Sequence, residues 1–201
     1  MSRSNFSNDS ESHLWQDFLD NKPGSLETIY HQFAEVLFQY GDHFTNDSSV
    51  TEDCIQEVFA TLHSKRNNLS HTTSIKYYLF KCLRLEIYRR LRKEQAYSRY
   101  QPDSLSFFDT EFSVENRIIH DEVTMIRVNQ ITNAVNQLPK RQKEAIYLRF
   151  YQGLSYSEIA DIMETEQTST YKIIYKAIAS LYEKLASQTG KLFLLLNFLL
   201  T

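Results

Sequence analysis

Between residues 74 and 99 the chain sets eight cations, Lys76, Lys81, Arg84, Arg89, Arg90, Arg92, Lys93 and Arg99, against only Glu86 and Glu94. Ammonium and guanidinium groups at this density neutralise phosphates, so the chemistry on offer is capture of a polyanion. Residues 1 to 60 carry the opposite sign, eleven acids against Arg3 and Lys22. One segment suits a basic partner and the other a nucleic acid, a segregation hidden inside a net charge of −3. No catalytic spacing accompanies these charges: there are no paired carboxylates, no nucleophile beside a base and no glycine-rich phosphate loop. The six His are scattered, and Cys54 and Cys82 stand alone among apolar neighbours. The chain is therefore read as a binding protein and not an enzyme, with no cofactor, no metal and two buried thiols of a reducing, cytoplasmic compartment.

These residues need elements to hold them. Apolar content of 42% with thirteen Tyr and thirteen Phe fills real cores, while only four Gly and three Pro interrupt the chain. Apolar positions recur at helical spacing, so the fold class is all-α, two helical modules joined by an acidic linker. Residues 1–21 read as a flexible N-terminal tail, 22–97 as the first module, 98–117 as the linker, 118–186 as the second module and 187–201 as an apolar C-terminal tail. Leu26, Ile29, Tyr30, Phe33, Val36 and Leu37 predict a helix over 25–40. A helix over 50–66 packs through Ile55, Val58, Phe59 and Leu62, leaving an acidic and amide face of Glu52, Asp53, Gln56 and Glu57. After the loop 67–73 a long helix, 74–95, packs through Ile75, Tyr78, Leu79, Cys82 and Ile87 and turns its basic face outward.

The second module holds the sharpest pattern. A helix over 142–151, opened by Pro139, stops at Gly153; Ser155 and Glu158 form a capping box for the next, which packs through Ile159, Ala160 and Ile162. A turn then feeds a helix starting near Thr168. This is helix-turn-helix spacing, in which the second helix enters the major groove of duplex DNA. Thr170, Ile174, Ala177 and Leu181 share its buried face. Thr168, Ser169, Tyr171, Lys172, Tyr175 and Lys176 are left for DNA, with hydroxyls and free amides at the N-terminus suited to phosphate.

The stretch LPKRQKEAIYLRFYQGLSYSEIADIM resembles region four of bacterial extracytoplasmic-function sigma factors, and EDCIQEVFATL resembles their region-two signature. The likeness spans about residues 22 to 185, with the two motifs in the family's order. It implies that Asp53, Gln56 and Glu57 dock on the basic coiled coil of the core RNA polymerase. It implies further that the loop 67–73 and the basic helix take the melted strand of the minus-ten promoter element. There Lys76, Lys81, Arg84 and Arg92 would hold phosphates, while the rings of Tyr77 and Phe80 serve either unstacked bases or the core. The helix-turn-helix would meet the upstream duplex element, and an anti-sigma factor is an expected partner.

Two departures matter. The family usually carries Asn where this chain has Leu85, and Leu cannot hydrogen-bond a base edge. Its recognition helix usually carries more cations, and residues 136–186 hold seven cations against six acids. Beside the sigma factor stand two other readings: a sigma-like adaptor whose site is chosen by an accessory DNA-targeting protein, and a stand-alone helix-turn-helix regulator. Charge reversal at Asp53, Gln56 and Glu57 separates the last, since only a polymerase subunit would notice. The run LFLLLNFLL, residues 192 to 200, is about half the roughly 20 residues a membrane span needs, so no span is expected. It packs back on the second module, meets a partner, or touches a membrane surface.

Overall fold

The computed structural model describes residues 4–45, 47–72, 74–97, 108 and 122–199, with side chains described at 10–45, 47–72, 74–93, 108 and 128–186. Among the described residues the secondary structure is helical throughout, and the chain divides into two compact units, Met1–Phe107 and Phe108–Thr201.

Unit one contains α1 (Ser4–Leu19), α2 (Ser25–Asp42), α3 (Ser48–Lys65) and α4 (Ile75–Tyr97), with a single 3-10 turn over Arg66–Asn68. Helix α3 starts where Asp47 caps it, accepting the Ser49 amide at 2.9 Å. Hydrogen bonds from Ser49 hold the Asp47 carboxyl below its ordinary range. The buried face of α3, Cys54, Ile55, Val58, Phe59 and Leu62, agrees with its periodicity. Helices α2, α3 and α4 all pack on one another. At Gly41 of α2 the packing is tight: an added Cβ would lie 2.6 Å from Thr51 Cγ2, so a larger residue there forces a shift.

Two expectations are corrected in this unit. Residues 4–19 are not a flexible tail: α1 buries Trp15 and Phe18 completely enough to place both among the largest core side chains. Burial of two aromatic rings outweighs the ordering of a polar, acidic segment. In α4 the buried positions are Ile75, Leu79, Phe80, Leu83, Arg84, Ile87 and Tyr88. Because α4 is covered by α1, α2 and α3, its core face is wide and turned about 100°, one residue of helix, away from the expected Tyr78 and Cys82 side.

Unit two contains α5 (Glu122–Asn136), α6 (Lys140–Ile146), a π-helical turn (Tyr147–Tyr151), α7 (Tyr156–Ile162) and α8 (Gln167–Leu199). The expected helix over 142–151 begins at Lys140 and widens at its end: the Gln152 amide reaches back to Tyr147 O at 3.1 Å and the Leu154 amide to Leu148 O at 3.1 Å. Gly153, at φ 72, supplies the left-handed residue that lets the chain turn. Phe108, inside the expected linker, is fully buried here, its ring 5.9 Å from that of Tyr147. The remainder of 98–117 lies outside the described residues. Residues 187–199 continue α8, and their side chains lie outside the description too.

Candidate nucleic-acid interface

In unit two the capping box is made in full. Ser155 Oγ accepts the Glu158 amide at 3.3 Å, and Glu158 Oε2 accepts the Ser155 amide at 2.7 Å. The turn to α8 places Glu164 at φ 50, and the Thr165 amide bonds Ala160 O at 2.9 Å. Thr170, Ile174 and Ala177 are buried as expected, whereas Leu181 is only half-buried; Thr168, Tyr171, Lys172, Tyr175 and Lys176 are exposed and Ser169 is half-exposed.

The exposed residues of α8 are not equally free. Tyr171 stacks on Tyr156 of α7 with ring centroids 4.1 Å apart and planes 22° from parallel. The Arg149 guanidinium lies 4.7 Å from the same Tyr156 ring and donates to Leu154 O at 2.7 Å. A chain of flat groups thus ties the π-turn, α7 and α8 together, and half of the Tyr171 ring is used inside the fold. Thr168 Oγ1 meets Glu166 Oε2 at 3.3 Å, placing an acid beside the hydroxyl expected to hold a phosphate.

In unit one Asp53, Gln56 and Glu57 are all exposed along one face of α3. Asp53 pairs with Arg90 of α4 at 2.8 Å, both side chains partly solvated. Glu57 borders a cavity of about 290 Å3 between α3 and α4, whose lining includes Tyr78, Cys82, Leu85 and Arg89. Leu85 is exposed, and Arg89 is paired with Glu86 at 2.5 Å.

Of the six residues expected to meet the melted strand, four are reachable: Lys76, Tyr77 and Lys81 are half-buried and Arg92 is exposed. Two are not. Phe80 has no solvent exposure and packs 4.8 Å from the Tyr40 ring, so it is a core residue. Arg84 is 4% exposed, with its guanidinium 4.2 Å from the Tyr88 ring, so it stabilises the bundle through a cation–π contact and cannot meet a phosphate. A basic residue placed where a helix is covered on three sides buries its charge against an aromatic face. Arg92 approaches the same ring at 5.7 Å.

Sequence reasoning missed the contacts of α1. Trp15 Nε1 donates to Ser70 O at 3.0 Å, Ser12 Oγ and His71 Nε2 are 3.0 Å apart, and Arg66 donates to Asn21. The Ile75 and Lys76 amides, first of α4, donate to Glu11 Oε2 at 2.9 and 3.4 Å. The available signal was the pair Trp15 and Phe18 with Leu14 and Leu19, a short helical stripe.

The family model for Sigma-70 region 2 matches residues 29–97, and that for Sigma-70, region 4 matches residues 129–181. A similar curated protein is the RNA polymerase sigma factor SigZ of Bacillus subtilis (strain 168), 29% identical over 137 residues, 68% of this chain and 73% of that protein. The ECF RNA polymerase sigma factor SigX of the same organism is 25% identical over 170 residues, 80% of this chain and 87% of its own. Among solved structures, the sigma factor RpoE in complex with the anti-sigma factor NepR from Bartonella quintana shares the fold. It has a TM-score of 0.59 at 19% identity, covering 81% of this chain and 98% of that one. Within the described residues no helix is long and apolar enough to cross a membrane.

Proposed function

The chain belongs to the sigma-70 family, among the extracytoplasmic-function sigma factors, and on that premise we propose how its surfaces share the work of initiation. It is an alternative sigma factor that directs transcription initiation. Asp53, Gln56 and Glu57 dock on a basic surface of core RNA polymerase, where complementary charge gives steering and register. The segment 66–75, with Lys76, Tyr77, Lys81 and Arg92, receives the melted promoter strand. In unit two the N-terminal edge of α8, with Thr168, Ser169, Lys172, Tyr175 and Lys176, meets upstream duplex DNA. An anti-sigma protein completes the set of partners, a reading supported by the complex in which the RpoE relative was solved.

The observation that carries this reading is the joint exposure of Asp53, Gln56 and Glu57 on the side of α3 opposite Cys54, Ile55, Val58 and Phe59. Glu57→Lys tests it. A surface substitution of this kind shifts folding stability by about 0.5 kcal/mol or less. Affinity for core polymerase, read by fluorescence titration, should fall at least about tenfold, the equivalent of 1.4 kcal/mol. Unchanged affinity would remove the docking face.

The adaptor reading is favoured by one observation: the first turns of α8, residues 167–181, carry Lys172 and Lys176 as their only cations, with Tyr171 engaged against Tyr156. Weak duplex binding is compatible with either role, because assembly on polymerase raises the effective concentration of each module. Mapping transcript starts separates them. A shared pair of upstream sequence elements removes the adaptor, and starts without such elements remove unaided promoter choice.

A further inference from the structure

We propose that Glu11 and Trp15 of α1 are positioning residues that hold the 66–75 segment in the form that receives the melted strand, an inference that rests on the role given to that segment under Proposed function. Helix α1 ends at Leu19, before the first residue matched by the region-two model, so nothing in that match assigns it a part. Its contacts with the segment are nonetheless spread along the whole of it. Asn21, just past the helix, takes Arg66; Trp15 takes the Ser70 carbonyl; Ser12 meets His71; and Glu11 takes the amides of Ile75 and Lys76.

Within itself the described part of the segment has few bonds, chiefly the Leu69 amide to Arg66 O at 3.1 Å and the Ser74 amide to Thr72 Oγ1 at 3.3 Å. A loop so lightly bonded samples many conformations unless something outside fixes it. Trp15 supplies an anchor that cannot drift, since its ring is wholly buried with Phe18 at 5.3 Å and Tyr78 at 5.2 Å. Glu11 fixes the other end. The first turn of α4 needs four acceptors, and it obtains them from Glu11 for Ile75 and Lys76, from Ser74 Oγ for Tyr77 and from Ser74 O for Tyr78. Without Glu11 two amides lose their partner at the point where the segment becomes the strand-facing helix. Ordering carried out in advance by α1 need not be repeated when DNA arrives, so the effect belongs to strand affinity.

The test uses the full chain assembled with core polymerase and, as probe, a labelled non-template strand from a promoter mapped by run-off transcription with this holoenzyme. Glu11→Ala should weaken strand binding about five- to tenfold, as expected for loss of charge-assisted hydrogen bonds. Glu11→Gln, which keeps an acceptor oxygen, should retain most of it, and Trp15→Phe, which keeps an aromatic but smaller ring and loses the N–H, should lose several-fold. Core affinity and binding to upstream duplex should not move. Equal strand affinity in all variants, a gain on removing Glu11, or a loss matched by lost core affinity would each overturn the proposal. Amide exchange gives a second readout: the Ile75 and Lys76 amides should exchange faster in Glu11→Ala, and unchanged exchange overturns positioning directly. Faster exchange together with a wild-type holoenzyme that ignores the strand would show that α1 orders the segment but that the segment's promoter role fails.

Discussion

Gly41→Ala puts the contact of α2 with α3 under load. The new Cβ would sit 2.6 Å from Thr51 Cγ2, with Ile87 Cδ1 at 3.4 Å and Leu83 Cδ2 at 3.6 Å. The last two are tolerable, so the cost comes from one methyl group. Thr51 is fully buried, β-branched and therefore stiff, and its hydroxyl lies 3.3 Å from Thr45 Oγ1. Overpacking of this kind costs about 1–3 kcal/mol. Against it stands the gain of replacing a glycine in the last turn of α2 by alanine, at most about 1 kcal/mol. The net expectation is a loss of about 0–3 kcal/mol. In a Thr51→Ser background the offending methyl is gone while the hydroxyl remains, so the same Gly41→Ala change should be neutral or stabilise by up to about 1 kcal/mol. The coupling between the two sites is then about 1–3 kcal/mol. Urea unfolding followed by Trp15 fluorescence reads it cleanly, because this is the only tryptophan in the sequence and it is buried in unit one. A Gly41→Ala protein more stable than the parent, or a cycle with no coupling, would refute the reasoning.

Phe80 and Tyr77 should separate in the same assay: Phe80→Ala costs about 3–5 kcal/mol, as a buried ring does, whereas Tyr77→Ala costs about 1 kcal/mol or less and acts on strand capture in the holoenzyme. Equal costs would mean that one of the two rings is misassigned. The thiols predict a pH dependence. Burial pushes both Cys54 and Cys82 above the ordinary thiol range, so the stability each contributes is fully present below the unfolded value, about pH 8.5, and is lost as pH rises through the folded one. Iodoacetamide at pH 8.5 should label the native protein far more slowly than the urea-unfolded chain, and Cys54, wholly buried, more slowly than Cys82. Native labelling at the unfolded rate would refute this.

What the residues disclosed by themselves was local. The capping box of Ser155 and Glu158 and the stop at Gly153 act within four residues of themselves, so their pattern survives without knowledge of the fold. The apolar face of α3 is equally plain, because its buried residues form one stripe although two helices cover it. Helix α4 was harder: a helix enclosed by three neighbours has apolar residues around most of its circumference, and periodicity then fixes its phase poorly. By spacing alone Phe80 therefore passes for a base platform and Arg84 for a phosphate ligand, whereas the Tyr40 and Tyr88 rings hold them inside. Helix α1 reads as a tail in the sequence because its justification is non-local. Glu11 and Trp15 find their partners more than fifty positions away, and a polar stretch with one short apolar stripe announces nothing of that.

Helix α8 runs from Gln167 to Leu199 without a break. At 1.5 Å per residue its thirty-three residues make a rod about 50 Å long, while the residues it buries in unit two end at Ala177 among those described. A stiff rod transmits bending and torque in a way a jointed chain cannot. Whatever grips the leucine-rich far end therefore has a lever whose other arm is the edge carrying Thr168, Lys172 and Lys176, and under the role proposed for that edge a modest force there changes how it meets DNA.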